Sequence, residues 1–182
     1  MGAAFLAASS VIPQETEAKG RSRANKSGHM NIRGRRTLGS GSAALTVSAL
    51  GFGCMGMNYN RSVSPSRKEC IKVIREAVER GVTLFDTAII YWPLINEELV
   101  GEALAPYKGQ VAVTTKFGHE VINGKATGRQ NSWPEIIRRY CEESLRRLRV
   151  DCLEMFYQHR LDRNVPIEEV AGTIGDLIKE GK

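Results

Sequence analysis

A carboxylate, a phenol, an ammonium and an imidazole stand at or just past the ends of short apolar runs in this chain. Asp86 and Tyr91 lie within Phe85-Asp86-Thr87-Ala88-Ile89-Ile90-Tyr91, Lys116 closes Val111-Ala112-Val113-Thr114-Thr115-Lys116, and His159 closes Cys152-Leu153-Glu154-Met155-Phe156-Tyr157-Gln158-His159. Each run reads as a buried parallel strand. Strands that line one barrel bring all four side chains to its C-terminal mouth, where barrel enzymes do their chemistry. Together the four groups outline a reductase site.

The elements that must position these groups alternate regularly after residue 45. Residues 45–52 read as a first strand. Ser66-Arg67-Lys68-Glu69 is a capping box, in which Ser66 accepts from the amide of residue 69 while Glu69 reaches back. Its helix places Ile71, Ile74, Ala77 and Val78 on one stripe, and Gly81 closes it. Residues 82–85 form the second strand. Asn96 reads as the N-cap of the second helix, with Glu97 and Glu98 suited to the positive end of the helix dipole. Leu99, Val100, Ala103 and Leu104 give its buried face, and Pro106 ends it.

Residues 110–117 are the third strand, whose apolar run with little alternation suits cover on both faces. In the polar insert that follows, Asn123-Gly124 signals a tight hairpin turn. Ser132-Trp133-Pro134-Glu135 reads as another capping box. Its helix carries Ile137, Cys141, Ser144, Leu145 and Leu148 inward, leaving Arg138, Arg139, Glu142, Glu143, Arg146 and Arg147 for solvent or ion pairs. Residues 152–158 are the fourth strand, and 166–179 the fourth helix, apolar at Val170, Ile174, Leu177 and Ile178. Four β-then-α units in a row predict a parallel sheet with right-handed crossovers.

Gly51-Phe52-Gly53-Cys54-Met55-Gly56 fits the spelling of a dinucleotide-binding turn, but residues 58–65 separate it from the next helix, as an open doubly wound sheet would not allow. These glycines instead let the backbone come close at a barrel mouth. The fold class expected is therefore α/β, a (β/α)8 TIM barrel. A whole barrel takes about 250 residues, and this chain of 182 holds about four of the eight units.

The charge is uneven. Residues 1–36 carry seven Lys or Arg against two Glu, whereas 37–182 carry 19 basic and 18 acidic side chains. The basic character thus belongs to an N-terminal arm, expected to be disordered, and the half-barrel at 37–182 is nearly neutral. The arm lacks interleaved aromatics to stack bases, which argues against nucleic acid as a partner. The apolar stretch near Met1 is too short to span a bilayer. The expected location is cytoplasmic, or periplasmic if residues 1–18 belong to an export signal. Cys54, Cys70, Cys141 and Cys152 show neither CxxC pairing nor zinc spacing, so reduced thiols and no metal are expected.

From about Leu45 onward the chain resembles the aldo-keto reductases, especially bacterial members. The resemblance is carried by Leu50-Gly51-Phe52-Gly53-Cys54-Met55-Gly56-Met57, by Asn96-Glu97-Glu98-Leu99-Val100-Gly101-Glu102-Ala103-Leu104, by Thr115-Lys116-Phe117-Gly118 and by Tyr157-Gln158-His159-Arg160. It implies NADPH-dependent reduction of an aldehyde or ketone, with Asp86, Tyr91, Lys116 and His159 matching the family tetrad. It also implies cofactor contacts near the nicotinamide from Gly53, Met55 and Asp86; the loops that hold the adenosine and 2′-phosphate follow the last strands of a complete barrel. Where the family has Tyr-Gly this chain has Tyr91-Trp92. The indole narrows the substrate pocket or stacks on a flat substrate, or else points to solvent or packs beneath its loop.

Hydride reaching a carbonyl carbon leaves charge on oxygen, so a proton donor must stand within hydrogen-bond reach. Tyr91 suits that role if a positive neighbour favours its phenolate, and Lys116 is that neighbour. Asp86 keeps Lys116 charged and oriented, while His159 donates to the same oxygen and aligns the substrate. The alternatives are an NADPH-binding sensor like the family's channel-associated subunits, and an inactive truncated fragment. For the chain as given, self-association is expected: open edge strands, and inward faces of Phe85, Val113 and Met155 without an opposing layer, would both seek cover.

Overall fold

In the computed structural model, which describes residues 32, 34–58 and 65–182, the chain opens with an antiparallel hairpin, β1 (Arg35–Leu38) and β2 (Leu45–Ser48). The leader-like stretch at 1–18 and most of the basic arm lie outside the described residues. Arg35 and Arg36, assigned above to the arm, belong to the first strand of this hairpin. The hairpin is tied to the body at Thr83, whose hydroxyl accepts from the Ser48 amide while its own amide donates to Ser48 Oγ.

What the sequence suggested as one strand over 45–52 is thus two elements. Residues 45–48 pair with β1, and only β3 (Phe52–Gly53) joins the main sheet. The break falls at Ala49-Leu50-Gly51, where Gly51 lies against Leu84: a Cβ there would come within 3.3 Å of the leucine side chain. This is the one glycine of the Gly51-Phe52-Gly53-Cys54-Met55-Gly56 turn with another described residue packed close against it. Gly53 and Gly56 would meet nothing within 4 Å.

Next come α1 (Arg67–Glu79), β4 (Leu84–Asp86), α2 (Ile95–Leu104), β5 (Ala112–Phe117), the insert strands β6 (His119–Ile122) and β7 (Lys125–Gln130), α3 (Pro134–Leu148), β8 (Met155–Gln158) and α4 (Ile167–Lys179). Strands β3, β4, β5 and β8 pair in that order, all parallel. Successive helices pack side by side, α1 on α2, α2 on α3 and α3 on α4. This is a four-stranded parallel α/β layer consistent with part of a TIM barrel.

The capping box at Ser66 and Glu69 forms in full, and Gly81 follows the helix end with φ 96°. The Asn123-Gly124 turn forms as well, both residues in the left-handed region at φ 50° and 71°, joining β6 to β7. Two caps differ from expectation. Helix α2 begins at Ile95, after Leu94 at φ 73°, and its first amides donate to the carbonyls of Trp92 and Tyr91, so Asn96 lies inside the helix with its side chain committed elsewhere. Ser132 does not cap α3. Its hydroxyl accepts from Gln158 Nε2 at 3.1 Å and its amide donates to Asp162, leaving Trp133 at the cap position and Pro134 in the first turn.

Register decides which way each strand residue points. Asp86 pairs with Thr114, Thr114 with Met155, and Lys116 with Tyr157, so these share one face of the sheet. Phe85, Val113, Thr115 and Phe117 take the other, toward the helices. There Phe85, Val113 and Phe117 are buried with Ile74, Val100 and Ile137. The expectation that Phe85 and Val113 lack an opposing layer is therefore corrected: they are one residue out of phase with Asp86 and Lys116 and sit in the core. Ile178 is exposed, because Val170, Thr173 and Leu177 set the buried stripe of α4.

The α2–α3 contact is close. A Cβ on Gly101 would stand 2.2 Å from the Arg147 carbonyl oxygen. Beside it the buried Glu97 accepts from Arg147 Nε at 2.7 Å and from Thr115 Oγ1 at 2.6 Å, joining both helices to β5. Glu97 thus does more than complement a helix dipole. Among the described residues, no helix is long and apolar enough to cross a membrane.

Candidate active site

Asp86 ends β4, and the chain then turns through the buried residues Thr87, Ala88 and Ile89 to deliver Tyr91. The turn is an extension of strand pairing: the Thr87 amide donates to the Thr114 carbonyl at 2.9 Å and the Ile89 amide to that of Lys116 at 3.4 Å. Thr87 Oγ1 donates to Asn96 Oδ1, and Asn96 Nδ2 donates in turn to the Cys54 carbonyl at 3.0 Å. This buried chain ties the ends of β3 and β4 to α2. It leaves Asp86 and Tyr91 on one side and packs the fully buried Cys54 behind them, where burial above all, and then the Asp86 charge, raise its thiol pKa far beyond the ordinary range.

Lys116 is the hub. Its Nζ donates to Asp86 Oδ2 at 2.5 Å, to the Thr87 carbonyl at 2.6 Å and to the Tyr91 hydroxyl at 3.3 Å, which uses its three donors. The ammonium also stands 5.0 Å from the Tyr91 ring centroid. Asp86 Oδ1 accepts from Thr114 Oγ1 at 2.9 Å, so both carboxylate oxygens are engaged. Thr114 was not foreseen, although its place two residues before Lys116 puts it on the same strand face.

His159 follows β8, its amide donating to the Phe117 carbonyl at 2.8 Å. Its ring meets that of Tyr91 edge to face at 5.8 Å and 86°. Burial, then the positive or polar neighbours His119, Lys116 and Arg160, push its pKa down to about 4, with Asp86 pulling weakly the other way. The structure therefore gathers Asp86, Tyr91, Lys116 and His159 at the C-terminal ends of β4, β5 and β8. His119, which sequence reasoning passed over, joins them.

Gly53 pairs with Asp86, so its missing side chain points to the same face as the carboxylate, and the space a Cβ would take is open. Met55, in the short 3₁₀ helix Cys54–Met57, is exposed. This bare strand end beside a charged cluster fits the approach of a flat nicotinamide ring. Trp92 lies elsewhere. At φ 38° and 48% exposed, it lines an open groove of about 320 Å3 with Met57, Pro65, Cys70, Ile95 and Leu99, and none of the four clustered residues lines that groove.

The sequence model of the Aldo/keto reductase family matches residues 49–182. Among solved structures, aldo-keto reductase AKR11C1 from Bacillus halodurans in its holo form is 30% identical, with a TM-score of 0.71 over 84% of this chain and 48% of that one. The glycerol dehydrogenase AKR11B4 from Gluconobacter oxydans is also 30% identical, with a TM-score of 0.68 over 76% of this chain and 43% of that one. This chain spans about half the length of these structures.

Proposed function

This chain belongs to the aldo/keto reductase family, and we propose that its mouth carries out NADPH-dependent reduction of an aldehyde or ketone within a complete barrel. The observation that carries the reading is the line from Asp86 through Lys116 to the Tyr91 hydroxyl, at 2.5 Å and 3.3 Å. Tyr91 is the proton donor. Its oxygen accepts from Lys116 and so still has a proton to give, and the ammonium stabilises the negative charge left behind. Asp86, itself fixed by Thr114, holds Lys116 in place. His159, neutral over the physiological range, donates a second hydrogen bond to the carbonyl oxygen and orients the substrate.

Gly53, Met55 and Asp86 hold the nicotinamide end of the cofactor, Gly53 by leaving room beside Asp86. When bound, the reduced nicotinamide supplies the hydride to the carbonyl carbon. Trp92, on a groove that none of the four residues lines, is given no part in holding the carbonyl group. In a complete barrel that carries this chain, Tyr91→Phe should abolish carbonyl-dependent NADPH oxidation while leaving NADPH binding, read by cofactor fluorescence, nearly intact. A comparable loss of both would contradict the role given to Tyr91.

The 182-residue chain also self-associates in this reading. Strand β8 is at the edge of the sheet, with Tyr157 and the following Leu161 exposed. Sedimentation of the chain should show dimers or larger species, and a monodisperse monomer would refute it.

A further inference from the structure

A second imidazole stands against the one at the mouth. His119 opens β6 one residue past Gly118, which has φ 107°. A Cβ on Gly118 would meet the Arg160 carbonyl oxygen at 3.2 Å, so glycine there lets the loop after β8 close on the turn out of β5. That approach brings His159, the neighbour of Arg160, to His119, the neighbour of Gly118. Their rings meet edge to face, 4.9 Å apart at 85°.

His119 is itself held. Gln130, its register partner on β7, places Nε2 3.4 Å from His119 Nδ1. An amide nitrogen only donates, so Nδ1 accepts and the neutral ring carries its proton on Nε2. Around His159 stand Tyr91 from the β4–α2 turn, Asp86 from β4, Lys116 from β5, His119 from β6 and Arg160 from its own loop. The single carboxylate among them is already paired with Lys116.

We propose that His119 is a positioning residue for His159, seating its ring edge-on and keeping it neutral, so that it offers an N–H rather than a charge to a carbonyl oxygen at the mouth. The proposal deepens the reductase reading and rests on it for the identity of that oxygen; the seating itself is a property of the chain. His159 Nδ1 is enclosed and has no hydrogen-bond partner among the described residues. The proposal puts the proton on the other nitrogen, Nε2, from which it can be offered to a carbonyl oxygen. His119 is held below the usual histidine range too, by burial and then by Arg160, so neither ring readily takes a charge beside the other.

The chain has three histidines, and in a His29→Gln background a histidine-selective NMR titration reads the midpoint and tautomer of the remaining two. His159 should titrate near 4, protonated on Nε2 when neutral. His119→Ala, which removes the ring and admits water, should raise that midpoint toward 6.5, whereas His119→Phe, which keeps a ring in place and removes only the imidazole's charge interaction, should raise it less. If His119→Ala fails to fold, Gln130→Ala, which frees the His119 ring, should move the His159 midpoint upward by a smaller step. A wild-type midpoint near 6.5, a midpoint unmoved in the folded alanine variant, or an equal rise in His119→Phe overturns the proposal. None of these readouts needs turnover. An inactive complete barrel with the expected titration defeats the reductase reading alone; an active one with an unmoved titration defeats the seating alone.

Discussion

Two acid–cation pairs sit on opposite faces of β5, and they differ in what surrounds them. Lys116–Asp86 opens to the mouth, with 15% and 37% of the side chains exposed; Arg147–Glu97 is sealed between α2 and α3, with 13% and 0% exposed. In the sealed pair both Glu97 oxygens are taken by groups of the scaffold, Thr115 and Arg147. In the open pair the cation also reaches the Tyr91 hydroxyl, carried by the turn after β4. Adjacent residues of one strand thus serve opposite ends: Thr115 anchors the helix layer, and Lys116, in the proposed reading, brings its charge to the site of a substrate oxygen. Similar chemistry reads as structure when it is closed and as reactivity when one end is open.

Breaking the sealed pair should have the largest effect on folding. Glu97→Ala removes the acceptor shared by the Thr115 hydroxyl and Arg147 and leaves Arg147 only its longer contacts to Glu143 and Ser144 at 3.4 Å, at a cost of about 3 kcal/mol, measured by chemical denaturation. Asp86→Asn should do the reverse. Its pair is partly solvated, so stability should fall by about 1 kcal/mol or less, while carbonyl reduction in a complete barrel falls by about a hundredfold or more. If Asp86→Asn proves as destabilising as Glu97→Ala, the distinction between the two pairs fails.

A smaller effect sharpens the contrast through pH. The unfolded chain takes up a proton on His159 near pH 6.5, whereas the folded chain resists it until about pH 4. The stability that goes with a neutral His159 is therefore complete above about 6.5 and lost progressively as the pH falls toward 4. Because the ring is only partly enclosed, the loss should be modest. Denaturation midpoints for wild type and His159→Gln should converge on acidification, and parallel curves would contradict the depressed titration.

Much of this architecture was legible in the sequence because local rules and tertiary packing agree there. The Ser66 capping box, the Asn123-Gly124 turn and the stripes of α1 and α3 need only neighbouring residues to be understood. The four residues at the mouth could be gathered from sequence because each stands at or just beyond a strand end. Failures came where a distant partner claimed a side chain. Asn96 and Ser132 look like caps, yet Thr87 and Cys54 engage the first and Gln158 the second. Glu97 looks like a solvated helix-start acid until Arg147, fifty residues away, closes on it. Phe85 and Val113 were placed on the wrong face because a short strand offers too few residues to fix its phase without a partner's register. His119 gave no signal at all, since its meaning depends on Gly118 admitting the Arg160 loop.

Whether Lys116 serves Tyr91 rather than the fold is decided by the neutral-pH turnover of Lys116→Met in a complete barrel that carries this chain. Methionine keeps most of the side chain's length and removes its charge. Carbonyl-dependent NADPH oxidation should fall by about two orders of magnitude or more, with the variant still folded; turnover retained at neutral pH would make Lys116 a structural partner of Asp86 and contradict the account.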